Sequence, residues 1–198
     1  MTSRPDENRE LIRRVLGKEY LELELTRLSV EEEPNAATRV KVVASDDGRT
    51  FEVEGSGVGL VDALYNGLLG RFAVEYQSLK SVELCGFHVD ANIDSKKASS
   101  GVDAVGTVTI EVRNSEGRRF RFADASRSVT ASTARAVLAI VEYFVNAEKA
   151  FITMFNARKD AIERNRHDLI TRYTEELAEL VQSTSYTEVI EAMKRQLK

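Results

Sequence analysis

Phe51-Glu52-Val53-Glu54-Gly55-Ser56-Gly57-Val58-Gly59-Leu60-Val61-Asp62-Ala63-Leu64-Tyr65-Asn66 is an alternating strand that runs through three spaced glycines into an amphipathic segment. Glycine has no Cβ and tolerates positive φ, so this is a backbone suited to close approach. A helix starting here leaves its first N–H groups unpaired with a partial positive charge, which favours a carboxylate or phosphate. The same residues equally make a tight strand-to-helix turn that holds no ligand. Both readings, a site and a packing device, stand at this point.

Working outward, residues 45–55 recur at a constant shift as 114–124, with Gly48 matching Gly117 and Phe51 matching Phe120. Each copy reads as strand, polar turn with glycine, strand, helix. Upstream, Leu21, Leu23 and Leu25 alternate with Glu22, Glu24 and Thr26, and Glu31-Glu32-Glu33-Pro34-Asn35 closes that strand with a charged turn. The matching strand of the second copy spans residues 81–93. Simple alternation puts Val82, Leu84 and Gly86 on one face and Cys85, Phe87 and Val89 on the other. The first helix is expected from Gly59 or Leu60 to Leu69, weakened by about 1 kcal/mol through Gly67. The fold class is therefore α+β: two pseudo-repeated βββα units, about 20–72 and 80–151, inside a domain of residues 20–151. Residues 1–19 are an N-terminal helical or linker segment whose helix ends at Gly17.

No proline or glycine follows Gly117. Val137, Val141, Phe144, Phe151, Phe155, Ile162, Leu169, Tyr173 and Leu180 recur at helical spacings, so a long helix is expected from the serine-rich boundary at 128–132, where Ser or Thr makes a natural N-cap. Residues 152–198 extend it as a C-terminal helical arm. The favoured expectation is an arm that wraps a partner subunit, with a self-packed helical hairpin as the other reading. A break at 183–187 and a short last helix at 188–197 complete the chain.

A length of 198 residues with 42% hydrophobic and 30% charged side chains is ordinary for a globular protein. No apolar run approaches the roughly 18–20 residues that span a bilayer, and the N-terminus lacks an apolar signal core, so no membrane partner and a cytoplasmic location are expected. The lone Cys85 fits a reducing compartment. A net charge of −4 argues against nucleic acid as a partner. Arg118, Arg119, Arg121 and Arg127 read as a solvated sheet face. His88 and His167 are the only histidines, and neither sits in a ligand pattern, so no metal, no cofactor and no catalytic residue are expected.

The stretch 55–66, the block Gly101-Val102-Asp103-Ala104-Val105-Gly106-Thr107-Val108-Thr109-Ile110 and the helix start Ser132-Thr133-Ala134-Arg135-Ala136-Val137 together resemble the C-terminal regulatory (allosteric, dimerisation) domain of 2-isopropylmalate synthase and citramalate synthase. The resemblance implies two βββα units, a homodimer, and leucine or isoleucine bound as end-product inhibitor near the subunit interface. It implies an aliphatic pocket of Val61, Val82, Cys85, Val89 and Ala104, with Gly106 leaving room. The N–H groups around Gly57, Val58, Gly59, Leu60 and Val61 would hold the effector's carboxylate. Asp62 is placed to meet its ammonium, or else simply complements the helix dipole. The chain departs from the family pattern at Leu60, Ser128, Ala131 and Cys85. The family's catalytic (β/α)8 barrel needs about 250 residues, more than this chain holds beside the regulatory domain. The expectation is a non-catalytic sensing module that regulates a partner enzyme of branched-chain amino acid biosynthesis, with a separate catalytic subunit as the candidate partner. The alternative is a ligand-free assembly protein that binds a partner through its C-terminal helices.

Overall fold

A computed structural model describes residues 5–91 and 104–185, together with Glu191 and Arg195. The polar loop expected at 94–101, residues 101–103 of the block quoted above and most of the last expected helix lie outside the described residues. The chain begins with helix α1 (Pro5–Leu16) and a 3-10 turn at Gly17–Glu19. Strands β1 (Leu23–Glu31), β2 (Thr38–Asp46) and β3 (Arg49–Gly57) then form an antiparallel sheet in that order, followed by α2 (Leu60–Phe72). A 3-10 connector at Gln77–Ser81 leads to the second sheet, β4 (Glu83–Ala91), β5 (Gly106–Arg113) and β6 (Arg119–Ser126), and then to α3 (Val129–Glu163) and α4 (His167–Val181). The two βββα units are thus present, and α2 runs three residues beyond its expected end.

The registers make the duplication quantitative. Leu28 pairs with Val42 and Val42 with Val53, while Phe87 pairs with Ile110 and Ile110 with Phe122. β1 skips one residue between Leu25 and Arg27, and β4 skips one at the equivalent place, between Leu84 and Gly86. A β-bulge inserts a residue and so inverts the alternation beyond it. The expected faces of β4 are corrected accordingly: Leu84 lies opposite Val112 and Phe87 opposite Ile110, so Leu84, Phe87 and Val89 share the core-facing side. The β2–β3 turn is the two-residue hairpin that Asp47 (φ 46°) and Gly48 (φ 75°) allow. Its counterpart spans five residues, and the Asn114 side-chain carbonyl organises it by accepting the N–H groups of Glu116 and Arg118.

Helix α3 is the spine. Its buried face carries Val137, Ile140, Val141, Phe144 and Phe151; Phe144 packs edge-on against Phe120 of β6, and Tyr143 edge-on against Phe122 and tilted against Phe120. Polar groups on the same helix fasten the first unit. The Asn146 amide both accepts from and donates to the backbone of Leu21 at 2.8 Å, and Glu142 accepts the Leu23 N–H and the Tyr20 hydroxyl at 3.0 Å. Glu148 accepts the N–H and hydroxyl of Ser78 in the connector between units.

α3 passes without a break through position 151. Beyond a turn at 164–166, where Asn165 takes φ 53°, α4 folds back on it and buries Leu177 and Leu180. Ser183, Thr184 and Ser185 are buried too: the Asn114 amide donates to the Thr184 carbonyl and the Ser115 N–H to the Ser185 hydroxyl. Up to residue 185 the segment is therefore a self-packed hairpin and not an arm reaching for a partner. The apolar stripe finds its complement on α1 and α3 of its own chain, and Arg14 pairs with Glu176 at 3.0 Å.

Candidate functional site

The glycines at the β3–α2 junction are explained first by packing. A Cβ on Gly55 would lie 2.1 Å from the Ala63 carbonyl oxygen and 2.9 Å from Gly67 Cα; one on Gly57 would lie 2.5 Å from the Ala63 nitrogen. Their absence lets α2 lie directly on β3. Gly59 differs: a Cβ there would meet nothing within 4 Å, and its backbone is extended. It is the N-cap of α2 and supplies no side chain to the helix start. The first intrahelical bond runs from Ala63 N–H to the Gly59 carbonyl, so the N–H groups of Leu60, Val61 and Asp62 precede the ladder. Asp62 turns back to accept the Val58 N–H at 3.0 Å, and Asn66 donates to the Ser56 carbonyl at 3.1 Å. Together they rigidify the turn and leave Val58 93% exposed.

This junction borders an open cleft of about 910 Å³ walled by Glu32, Glu33, Asn35, Thr38, Gly57 and Asp62. In sequence the β1–β2 loop reads only as a charged turn. The signal was present in Glu31-Glu32-Glu33, but nothing local places that loop beside the glycines. The cleft thus joins a helix N-terminus, which attracts an anion, to carboxylates that attract a cation.

The equivalent corner of the second unit is built differently. Ser128 caps α3 by accepting the Ala131 N–H at 3.2 Å, and the Ser126 and Ser132 hydroxyls bond at 2.8 Å. Where the first unit has Gly55 and Asn66, the second has Asp124 and Arg135, joined by two bonds of 3.0 and 2.7 Å. That pairing holds the Asp124 carboxyl below the ordinary range. The helix start that is open in the first unit is closed by side chains in the second.

Of the expected site residues, Gly57, Val58, Gly59, Leu60, Val61 and Asp62 share the first corner. Val82, Cys85, Val89, Ala104 and Gly106 belong to the second unit and are spread along its sheet. Val82 is buried, its carbonyl accepting the Tyr65 hydroxyl at 3.2 Å. Cys85 is the exposed bulge residue at the start of β4. Val89 lies near the other end of β4, roughly 20 Å from Val82 at about 3.3 Å per residue, and pairs with Val108; buried Gly106 pairs with Ala91 two residues further on, and half-buried Ala104 precedes β5. Among the described residues no group of three His, Cys, Asp or Glu side chains could hold a metal, and no helix is long and apolar enough to cross a membrane.

Compared with known families, residues 4–145 match the LeuA allosteric (dimerisation) domain. The match takes in α1, both sheets, α2 and the first half of α3, and stops before the α3–α4 hairpin turn. No curated protein matches the chain.

Proposed function

Because the chain belongs to the LeuA allosteric (dimerisation) domain family, a regulatory and non-catalytic class of domain, we propose that it is a dimeric sensor that binds a branched-chain amino acid, leucine or isoleucine, at the β3–α2 corner. The observation that carries the reading is the uncapped start of α2 beside the acid-lined cleft. The effector's carboxylate accepts from the N–H groups of Leu60, Val61 and Asp62, and its ammonium faces Glu32 and Glu33. Its branched side chain lies against Val58 and Val61 and, across the dimer, against Val89, Ala104 and Gly106 of the second copy. Effector binding then biases the relative arrangement of the two copies, by as much as its affinity differs between arrangements. The partner regulated this way is a catalytic enzyme of branched-chain amino acid biosynthesis.

Gly59→Ser tests the site. A serine N-cap satisfies the same N–H groups that the carboxylate would use, so the variant should be slightly more stable alone, by a few tenths of a kcal/mol, yet bind leucine at least about tenfold more weakly by calorimetric titration. Unchanged leucine affinity in Gly59→Ser removes the site from this corner. A second reading, a ligand-free assembly protein, is favoured by the packing role of Gly55 and Gly57, which such a protein would retain. In that case neither form binds any branched-chain amino acid.

A further inference from the structure

At the far end of α2 from its uncapped start, about 20 Å away for 13 residues at roughly 1.5 Å each, lies a second cleft of about 360 Å³. Ligand clefts run from about 300 to about 1,000 Å³, so this one suits a small molecule. Buried Leu21, Phe72 and Val145 form its apolar floor, and Arg71 of α2 and Lys149 of α3 stand in its walls. The cleft therefore lies where the first unit meets the spine. Arg71 stacks its guanidinium over the Phe51 ring at 4.1 Å and lies 5.5 Å from that of Phe72. Stacking fixes the plane of the guanidinium fork and leaves its edge donors, which match a carboxylate bidentately, unspent. Lys149 donates to the Glu19 carbonyl, which takes one of the three donors of its ammonium. Among the described residues no carboxylate pairs with either cation, and Arg71 donates to no acceptor.

The two acids that also border the cleft are engaged. Asp46 accepts the Glu22 N–H at 3.2 Å, and Glu75 accepts the Tyr76 hydroxyl at 3.0 Å. The last carbonyls of α2 are engaged too, Leu69 by the Ala73 N–H and Phe72 by those of Glu75 and Tyr76. What remains unspent is a pair of cations over an apolar floor. A cation in the last turn of α2 suits that helix's dipole, but the dipole does not bring a second one from α3 to the same cleft or leave both without a carboxylate. We propose that Arg71 and Lys149 hold the carboxylate of a small organic acid whose short apolar body lies on Leu21, Phe72 and Val145. Asp46 and Glu75 balance the two cations, so a second negative charge on the ligand would find no cation left to offset it, which favours a carboxylate over a phosphate. The bound acid bridges α2 to α3 and ties the first unit to the spine. This site shares no residue with the β3–α2 corner and stands whether or not that corner binds an effector.

Backbone amide NMR shifts of the isotopically labelled full chain, titrated with isocaproate, test it. Saturable shifts at Phe72, Val145 and Lys149 with a dissociation constant of about 1 mM or tighter are expected, and isocaproamide, which has the same shape without the charge, should give none. Arg71→Gln should weaken isocaproate binding at least about tenfold through loss of the charge-assisted bidentate pair, with an unchanged circular dichroism spectrum. Lys149→Gln repeats the test from the other wall should Arg71→Gln not fold. Equal binding of the amide, an unchanged isocaproate affinity in the folded variant, or no saturable shift at these residues overturns the site. Inorganic phosphate titrating the same amides more tightly than isocaproate overturns the carboxylate assignment. Shifts confined to residues 57–62 would put isocaproate at the β3–α2 corner and likewise overturn this site, while leaving the effector reading standing.

Discussion

Gly55 has no room for a methyl group, whereas Gly70 on the same helix–strand pair has open space around it. Gly55→Ala must push the Ala63 carbonyl away and should destabilise by about 1–3 kcal/mol. Gly70→Ala, inside α2, should stabilise by about 0.5–1 kcal/mol. Urea midpoints of the two variants check this, and equal shifts would contradict the packing geometry. The contrast also shows what was readable in the residues. The spaced glycines announce that something comes close to the backbone at 55–59. They do not announce whether it is a ligand or the chain's own helix, because the approaching atoms, Ala63 O and Gly67 Cα, are placed only by tertiary packing. Gly59 alone retains an unused approach, and nothing in the pattern Gly-x-Gly-x-Gly distinguishes it from its neighbours.

At the scale of elements, α3 holds the two units together through polar groups on an otherwise apolar face. Asn146→Ala leaves the Leu21 N–H and carbonyl without partners and should cost about 2–4 kcal/mol, taken as one to two kcal/mol for each buried group. Glu148 adds a pH dependence. Burial pushes its carboxyl up, only partly offset by the bonds from Ser78. A carboxyl whose folded pKa is raised binds its proton more tightly when folded. The stability it contributes is complete below the unfolded value of 4.5 and is lost as pH rises through the raised folded value. Wild type should therefore lose stability relative to Glu148→Gln as pH rises from the unfolded value of 4.5 through the raised folded value, as measured by urea midpoints; parallel pH profiles would contradict the assignment. Strand alternation and the Asp46-Asp47-Gly48 hairpin were legible element by element. The bulges at Thr26 and Cys85 were not, since the residue that slips out of register is chosen by pairing with the neighbouring strand. That one slip moved Phe87 and Val89 to the opposite face.

Across the whole molecule, the duplication was visible in the recurrence of Gly48 and Phe51 as Gly117 and Phe120, and it fixed the architecture of two βββα units. The destination of the C-terminal stripe was not visible. Helical periodicity states that Leu177 and Leu180 need an apolar surface but not whose, and the surface proved to be the chain's own. Deleting residues 166–198 removes both leucines, each worth about 1.5–3 kcal/mol, and should lower the melting temperature by at least about 6 °C; an unchanged melting temperature would show that the hairpin adds nothing to the core. The proposed sensor depends on an uncapped helix start beside an acidic cleft that binds a branched-chain amino acid. The most informative measurement is thermal unfolding of the protein in a saturating series of leucine, isoleucine and valine, with aspartate and lysine as controls. A ligand that binds only the native state at a hundredfold excess over Kd adds about 2.7 kcal/mol, a rise of about 5–10 °C. A branched-chain amino acid sensor shows that rise with leucine or isoleucine and not with the charged amino acids. An identical melting temperature with every amino acid would contradict that reading.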